Sequence, residues 1–224
     1  MLTRGSQGDD VKQLQLQLQA LNIYHGPIDG DYGPVTQAAV LEFQHRNLAS
    51  GTADDKTVVA INGALAQNIT QVKIPNGLQE VEAVYGHIEY MELDKPYGEV
   101  HITNDWQKLN IVKTTLPVVG PQYIHKLIEP SLNMILTKIA SAGLGSKITQ
   151  FGCYCPRHQL NNPKNPLSIH SWAAAVDINW NDNPLGKPGN MDPSIVQAFE
   201  SFGWIWGGRW RNLDAMHFQR ATNC

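Results

Sequence analysis

The sequence contains few cysteines, no long apolar run and no excess of basic residues, and each of these absences excludes a class of protein. Its three cysteines, Cys153, Cys155 and Cys224, are too few for a disulfide framework. No apolar run approaches the ~20 residues that a membrane-spanning helix needs. The formal net charge of −3 gives no sign of a nucleic-acid-binding surface. We therefore expect neither a nucleic acid nor a membrane as a partner.

Other missing motifs narrow the function and the location. The sequence has no HExxH, GxSxG or GK[ST] motif, which argues against the common zincin, serine-hydrolase and nucleotide-binding sites. Its first residues lack the apolar stretch of a secretory signal peptide, so we expect synthesis in the cytoplasm. Cys153 and Cys155 could form half of a structural zinc site. Such sites usually use four ligands with C-x2–4-C spacing, so we interpret these thiols as lying in or beside a strand.

The first 67 residues show the pattern of three short helices. Apolar residues at spacings of three and four indicate the first helix: Val11, Leu14, Leu18 and Leu21. Asp9 or Asp10 is its expected cap. A turn cluster rich in Gly, Pro and Asp follows it. A second helix is then expected from Pro34 and a third from about Asp55.

This region resembles peptidoglycan-binding domains of the three-helix type. The resemblance rests on RGSQGDDVKQLQLQL and DGDYGPVTQAAVLEFQ. It implies a wall-binding domain over residues 1–67, followed by a linker over residues 68–76. The polar residues expected to be exposed, and so able to contact glycan or stem peptide, are Gln44 and those from Asp29 to Tyr32. The DGDYG stretch lacks the later oxygen ligands of an EF-hand, so no calcium site is expected.

Residues 77–224 mix helical and strand-like segments. A short helix is expected after Asn76, and a longer one over residues 122–143, broken or kinked at Pro130. Another helix should begin after Asp192. Strand-like stretches are EVHIT, LNIVKT, SKITQFGCY, WIW and MHFQ. Helices and short strands mixed in this order predict an α+β fold with a central antiparallel sheet.

One stretch, SIHSWAAAVDIN, places polar residues among small and apolar ones. In an extended strand, Asp177 would face away from Val176, Ile178 and Trp180, which would face the core. His170 precedes this strand and can curve over the same face as Asp177. Burial of such polar groups costs free energy unless they are paired or bind something.

A second histidine shows the same alternation in NLDAMHFQR. His217 would face away from the core-directed Met216 and Phe218, with Asp214 in the preceding turn. Two imidazoles and one carboxylate are the ligand set of a catalytic zinc site that keeps one position open. A divalent cation would also compensate the charge of a buried carboxylate.

These stretches resemble the M15 zinc peptidases, which include D-alanyl-D-alanine carboxypeptidases and phage L-alanyl-D-glutamate endopeptidases. The resemblance extends through FGCYCPRHQ, SIHSWAAAVDINWNDNP and GWIWGGRWRNLDAMHFQ, and implies a zinc peptidase domain over residues 77–224. It implies that His170, Asp177 and His217 bind Zn2+. It gives Asp214 the role of general base, which takes a proton from the attacking water and passes it to the leaving amine. It gives Arg157 the role of stabilising the oxyanion at the scissile carbonyl.

Ala173 departs from the family pattern, which usually has glycine at this place. If the position needs a positive φ, alanine strains the turn; if it needs only close packing, alanine fits. We expect a small structural adjustment and no loss of zinc.

A wall-binding domain joined to a zinc peptidase implies peptidoglycan, both glycan and stem peptide, as the partner and substrate. The expected protein is a monomeric phage endolysin that stays in the host cytoplasm until lysis. It would then cut the L-Ala–D-Glu bond in the cell wall. One alternative is a D-Ala-D-Ala carboxypeptidase of the same fold, whose pocket should hold a cationic anchor for the terminal carboxylate. Another is a non-catalytic, zinc-containing wall-binding protein.

Overall fold

The computed structural model describes residues 1–44, 50–71, 74–95 and 97–224. The chain forms two compact units. The first comprises Met1–Val72 and Glu129–Met134, and the second comprises Lys73–Ile128 and Ile135–Cys224. The α+β class is confirmed. Within the described ranges, no helix is both long enough and apolar enough to cross a membrane.

Three helices and one apolar core make up most of the first unit, as the sequence predicts. The helices are α1 (Asp9–Ala20), α2 (Pro34–Gln44) and α3 (Asp55–Gln71). The core consists of buried side chains: Val11, Leu14, Leu18, Tyr24, Tyr32, Ala39, Val40, Ala53, Ile61 and Leu65. Gly8, at φ 114°, caps α1 instead of Asp9 or Asp10. The two aspartates lie in the first turn, where they favour the helix dipole.

The segment predicted as a linker, residues 68–76, begins as helix. The α3 helix continues to Gln71, and the linker positions 72 and 73 lie outside the described residues. The next helix, α4 (Leu78–Tyr85), is capped by Gly77 at φ 80°, and not by Asn76. It ends at Gly86, which has a φ of 92°.

Two antiparallel strand pairs follow in the second unit. Strand β1 (Tyr90–Glu92) pairs with β2 (Val100–Ile102). After the short helix α5 (Trp106–Asn110), β3 (Ile111–Leu116) pairs with β4 (Gly120–His125).

The long helix predicted over residues 122–143 is wrong in its first part. Residues 122–125 belong to β4, because a tight turn with Val118 at φ 70° and Gly120 at φ 73° folds them back on β3. Helix α6 (Glu129–Ser141) starts only afterwards. Pro130 lies in its first turn, where a missing N–H is tolerated, so Pro130 starts this helix and does not kink it.

A four-stranded antiparallel sheet carries the candidate site. Its strands are β5 (Phe151–Gly152), β6 (Ala175–Ile178), β7 (Ile205–Trp206) and β8 (His217–Gln219), in the spatial order β5-β6-β8-β7. On one face, Val176 lies opposite Phe218, and both are fully buried. Phe218 stacks on Phe199 of α7 (Pro193–Glu200), with ring centroids 4.4 Å apart. The cap of α7 is Asp192, as predicted, and its side chain accepts from the backbone N–H of Ser194.

Two residues expected on the core face lie elsewhere. Trp180 is 40% exposed, because Asn179 at φ 51° ends β6 and breaks the alternation. Met216 precedes β8 and lines the cavity described below. Of the predicted strand SKITQFGCY, only Phe151–Gly152 is extended into the sheet.

Candidate metal centre

Two histidines and one aspartate meet on one face of the four-stranded sheet. Single ligand atoms of His170, Asp177 and His217 all lie within 4.8 Å of one another. His170 Nε2 is 3.1 Å from Asp177 Oδ2, and His217 Nδ1 is 3.0 Å from Asp177 Oδ1. The two imidazole nitrogens are 3.2 Å apart. The structure therefore brings together the three residues predicted to bind the metal.

The sheet register and one turn position these side chains. Asp177 on β6 lies directly opposite His217 on β8, so their side chains share one face. His170 comes from a short 3-10 helix, Ile169–Trp172, in which the Ser168 side chain accepts from the backbone N–H of His170. That helix ends at Ala173, whose φ of 49° and ψ of 33° are left-handed. The position where the family usually has glycine thus does require a positive φ, and alanine is strained there.

His170 is held from its far side by the backbone. Its Nδ1 lies 2.7 Å from the carbonyl oxygen of Cys153. Because a carbonyl oxygen can only accept, Nδ1 carries the proton, and in the neutral imidazole Nε2 presents a lone pair to Asp177 and His217. Cys153 itself is buried, and burial raises the pKa of its thiol, so the role of this residue is structural.

The electrostatics favour a positive charge among the three side chains. Burial opposes ionisation of Asp177, but His170 and His217 outweigh it and hold the pKa of that carboxyl well below its usual range. Burial also opposes the charged form of His217, yet its hydrogen bond to Asp177 raises its pKa. A proton can supply this positive charge, and so can a metal ion that displaces the proton. Two imidazole nitrogens and a carboxylate fit zinc in particular.

Asp214 lies on the turn that leads into β8. Its backbone N–H donates to the Gly207 carbonyl at 3.0 Å, and its own carbonyl accepts from the His217 N–H at 3.1 Å. Its Oδ1 atom is buried and has no hydrogen-bond partner among the described residues. Burial raises the pKa of this carboxyl above that of an exposed aspartate. An unpartnered, more basic carboxylate is suited to accept a proton from a substrate or a water molecule.

One cavity of about 470 Å³ joins all five predicted site residues. Arg157, His170, Asp177, Asp214 and His217 line it. The other residues that line it are both polar and apolar: Gln159, Leu160, Asn161, Ser168, Ile169, Leu185, Trp210, Asn212, Met216, Gln219 and Cys224.

Comparisons with known proteins place two domains on this chain. Residues 161–220 match an M15 peptidase family model described as D-alanyl-D-alanine carboxypeptidase, and residues 7–61 match one described as a putative peptidoglycan binding domain. The chain therefore carries one segment similar to peptidoglycan-binding domains and one similar to M15-type peptidases. The M15-type match contains His170, Asp177, Asp214 and His217, whereas Arg157 lies just before it.

One relative with a described activity is similar to this chain over a limited stretch. The chain is 40% identical over 68 residues to a spore cortex-lytic enzyme of Oceanobacillus iheyensis. The alignment covers 28% of this chain and 25% of that protein, so the chain matches about a quarter of the relative's length. No solved structure gives a significant match.

The structure adds residues around the candidate metal centre that the motifs do not reveal. Gln219 contacts His217, with 2.9 Å between Gln219 Oε1 and His217 Nε2. The Trp210 ring packs beside the His217 ring, with centroids 5.4 Å apart. The strand alternation that places His217 away from Phe218 also places Gln219 on the His217 side. That signal could have identified Gln219, but the contact of Trp210 depends on a loop.

In the N-terminal region that matches the peptidoglycan-binding model, one expected wall-contacting residue is buried. Gln44 is only 6% exposed, and its amide donates to the Thr52 carbonyl and to Thr57 Oγ1, each at 2.8 Å. Its Oε1 accepts from the backbone N–H groups of Ser50 and Gly51. Gln44 therefore holds a loop in place, and the prediction that it is exposed is wrong.

The region from Asp29 to Tyr32 is likewise tied to the interior of that domain. Gln15 is fully buried, and its amide donates to Asp29 Oδ1 at 2.8 Å and to the Asp31 carbonyl at 3.0 Å. Its Oε1 accepts from the Gly30 N–H. Tyr32 is completely buried, whereas Asp31 is exposed. Of this predicted contact region, Asp29 and Asp31 keep the exposure that a wall contact needs.

Proposed function

We propose that the protein is a zinc-dependent peptidoglycan hydrolase that cleaves the stem peptide. The observation that carries this proposal is the convergence of His170, Asp177 and His217 in a cavity that Asp214 and Arg157 also line. The two family matches and the cortex-lytic relative support peptidoglycan as the substrate. The proposal assigns zinc to the first three residues.

The other two residues have complementary roles in this reaction. Zinc supplies Lewis acidity toward the scissile carbonyl and the attacking water. Asp214 accepts a proton from that water and passes it to the leaving amine, for which its raised pKa is favourable. Arg157 donates hydrogen bonds to the oxygen of the scissile carbonyl as negative charge develops on it.

The charges of the cavity argue against an anchor for a terminal carboxylate, and we propose that the internal bond between L-Ala and D-Glu is cleaved. Among the described residues that line the cavity, Arg157 is the only lysine or arginine. If Arg157 serves the scissile carbonyl, no second guanidinium or ammonium group remains to bind a free substrate carboxylate. A carboxypeptidase needs such an anchor, because a desolvated carboxylate must be paired.

A D-Ala-D-Ala carboxypeptidase is the second candidate, and the description of the matched family model favours it. Mass spectrometry of digested peptidoglycan separates the two activities. Loss of one terminal alanine from intact stem peptides would show the carboxypeptidase. Release of peptides with a new D-Glu amino terminus, leaving L-Ala on the glycan, is the result that we expect.

Two variants test the roles of the residues. Asp214→Asn keeps the shape but removes the base, so kcat should fall by about 10²-fold or more while zinc still binds. His217→Ala should lose both zinc and activity. Asp182→Asn and His101→Ala are matched controls, because both side chains are exposed and outside the cavity. An unchanged biological effect of the Asp214→Asn variant, in spite of its lost base, would instead support a non-catalytic wall-binding protein.

For its biological setting, we propose a monomeric phage endolysin. The peptidoglycan-binding domain would keep the peptidase close to its polymer and raise the effective concentration at the bond. In the host cytoplasm the enzyme would have no access to the wall until lysis begins. Cells that express the protein should therefore grow normally and lose turbidity only after their membrane is permeabilised. The Asp214→Asn variant is the control in that experiment.

A further inference from the structure

The amide of Gln219 has one defined orientation. Gln219 lies on β8 two residues after His217, and only 4% of it is exposed. Its Nε2 donates to the Ala221 carbonyl at 2.9 Å, and its Oε1 lies 2.9 Å from His217 Nε2. Because the Ala221 carbonyl can only accept, the NH2 group must face it. The amide oxygen must then face His217.

This orientation determines which nitrogen of His217 carries the proton. An amide oxygen can only accept, so His217 Nε2 must be the donor. Once a metal has displaced the proton that His217 shares with Asp177, the neutral imidazole has a single N–H on Nε2, and Nδ1 is left with its lone pair. That atom lies 3.0 Å from Asp177 Oδ1 and 3.2 Å from His170 Nε2.

The two histidines are thus held in opposite tautomers. The Cys153 carbonyl takes the Nδ1 proton of His170, and the Gln219 amide takes the Nε2 proton of His217. Each acceptor leaves the remaining nitrogen directed at the same space beside Asp177. A flipped Gln219 amide would give up its bond to Ala221. It would also favour a proton on His217 Nδ1, where that proton would occupy the place of a metal.

We propose that Gln219 is a positioning residue, which fixes the tautomer of His217 so that Nδ1 is its metal-binding atom. This inference rests on the zinc site proposed above. Hydrogen-bond partners of metal-binding histidines typically contribute about 10- to 100-fold to metal affinity. Gln219 should therefore act on zinc affinity, through His217.

The first test uses the unaltered, zinc-loaded chain. Long-range 1H–15N correlation spectra of the histidine rings report which nitrogen is protonated and which binds metal. We expect His217 to show a protonated Nε2 and a metal-bound Nδ1. A protonated Nδ1 would overturn the proposal. This measurement needs no variant, so it decides the matter even where a substitution at 219 prevents folding.

The second test measures the zinc Kd of variants by competition with a chromophoric chelator. Gln219→Leu removes the acceptor and should weaken zinc binding by about 10- to 100-fold. Gln219→Glu keeps an acceptor and should bind zinc at least as tightly as the wild type. Gln197→Leu, a change of an exposed glutamine on α7, is the matched control and should leave the Kd unchanged.

The outcomes separate this inference from the proposed function. A folded Gln219→Leu variant with the wild-type zinc Kd would overturn the role of Gln219 and leave the zinc site standing. Equal weakening in Gln219→Leu and Gln219→Glu would also overturn it, because the loss would then follow from altered packing. A wild-type chain that binds no zinc would overturn the metal site itself.

Discussion

Gly207 controls the position of Asp214 by having no side chain. Its carbonyl accepts from the Asp214 N–H at 3.0 Å, so the two backbones run close together. A Cβ atom at position 207 would lie 2.6 Å from the Asp214 carbonyl oxygen and 3.1 Å from the Asp214 Cβ. The φ of Gly207 is not positive, so a Gly207→Ala change acts through space alone.

The size of the effect follows from this contact. The Asp214 carbonyl must move by about 0.8 Å before the distance reaches 3.4 Å, an ordinary van der Waals contact. A displacement of about 1 Å at a catalytic group can cost about 10²-fold in rate. We therefore expect Gly207→Ala to lower kcat by roughly 10- to 100-fold. The overpacking should lower the free energy of unfolding by about 1–3 kcal/mol.

The assay compares kcat on a soluble muropeptide with the urea-induced unfolding of the same full-length variant. Gly152→Ala is the matched control. Gly152 pairs with Asp177 in the same sheet, but a Cβ there would lie 3.7 Å from the Trp180 ring, an ordinary contact. Wild-type kcat in Gly207→Ala, or an equal loss in Gly152→Ala, would refute the argument that Gly207 positions Asp214.

Three further predictions concern stability. Gln15→Glu should lower the free energy of unfolding by about 2–4 kcal/mol in urea titrations, because Asp29 and the Asp31 carbonyl lose their buried donor. An unchanged urea midpoint would contradict this prediction. Burial lowers the pKa of His125 from 6.5 to about 4, so the unfolded chain binds a proton that the folded chain does not. Stability should therefore fall by about 3 kcal/mol as the pH drops from about 7 to 4, and His125→Gln should show a smaller fall in the same titration. Ala173→Gly relieves the left-handed strain, but it removes a buried methyl group and increases the chain entropy of the unfolded state. The free energy of unfolding, measured by thermal unfolding, should therefore change by no more than about 1 kcal/mol.

The placement of Asp177 and His217 on one face could be predicted, because it follows from strand alternation. Once Val176 and Phe218 are assigned to the core, Asp177 and His217 must face the opposite way. The sequence does not give the pairing register, and the structure supplies it by placing these two residues opposite each other. The position of Arg157 is harder to predict, because it lies outside any regular element and reaches the cavity through its loop.

Other features depend on tertiary contacts that no local pattern records. Ile124 fits the helical spacing of the apolar residues that follow it, yet it lies in a hairpin, because pairing with β3 outweighs a short apolar period. The burial of Gln15 and Gln44 likewise cannot be predicted from the local sequence pattern. Polar side chains are usually exposed, and only the folded loops show the backbone groups that these two amides satisfy.

The pairing of β6 with β8 makes the proposed zinc site a sensor of correct strand register. A slip of one residue would turn His217 to the opposite face from Asp177, so the misaligned molecule could not form the site. During refolding, recovery of tight zinc binding would therefore count only those molecules whose strands have reached native alignment. Far-ultraviolet spectra, in contrast, would also count compact molecules with shifted strands.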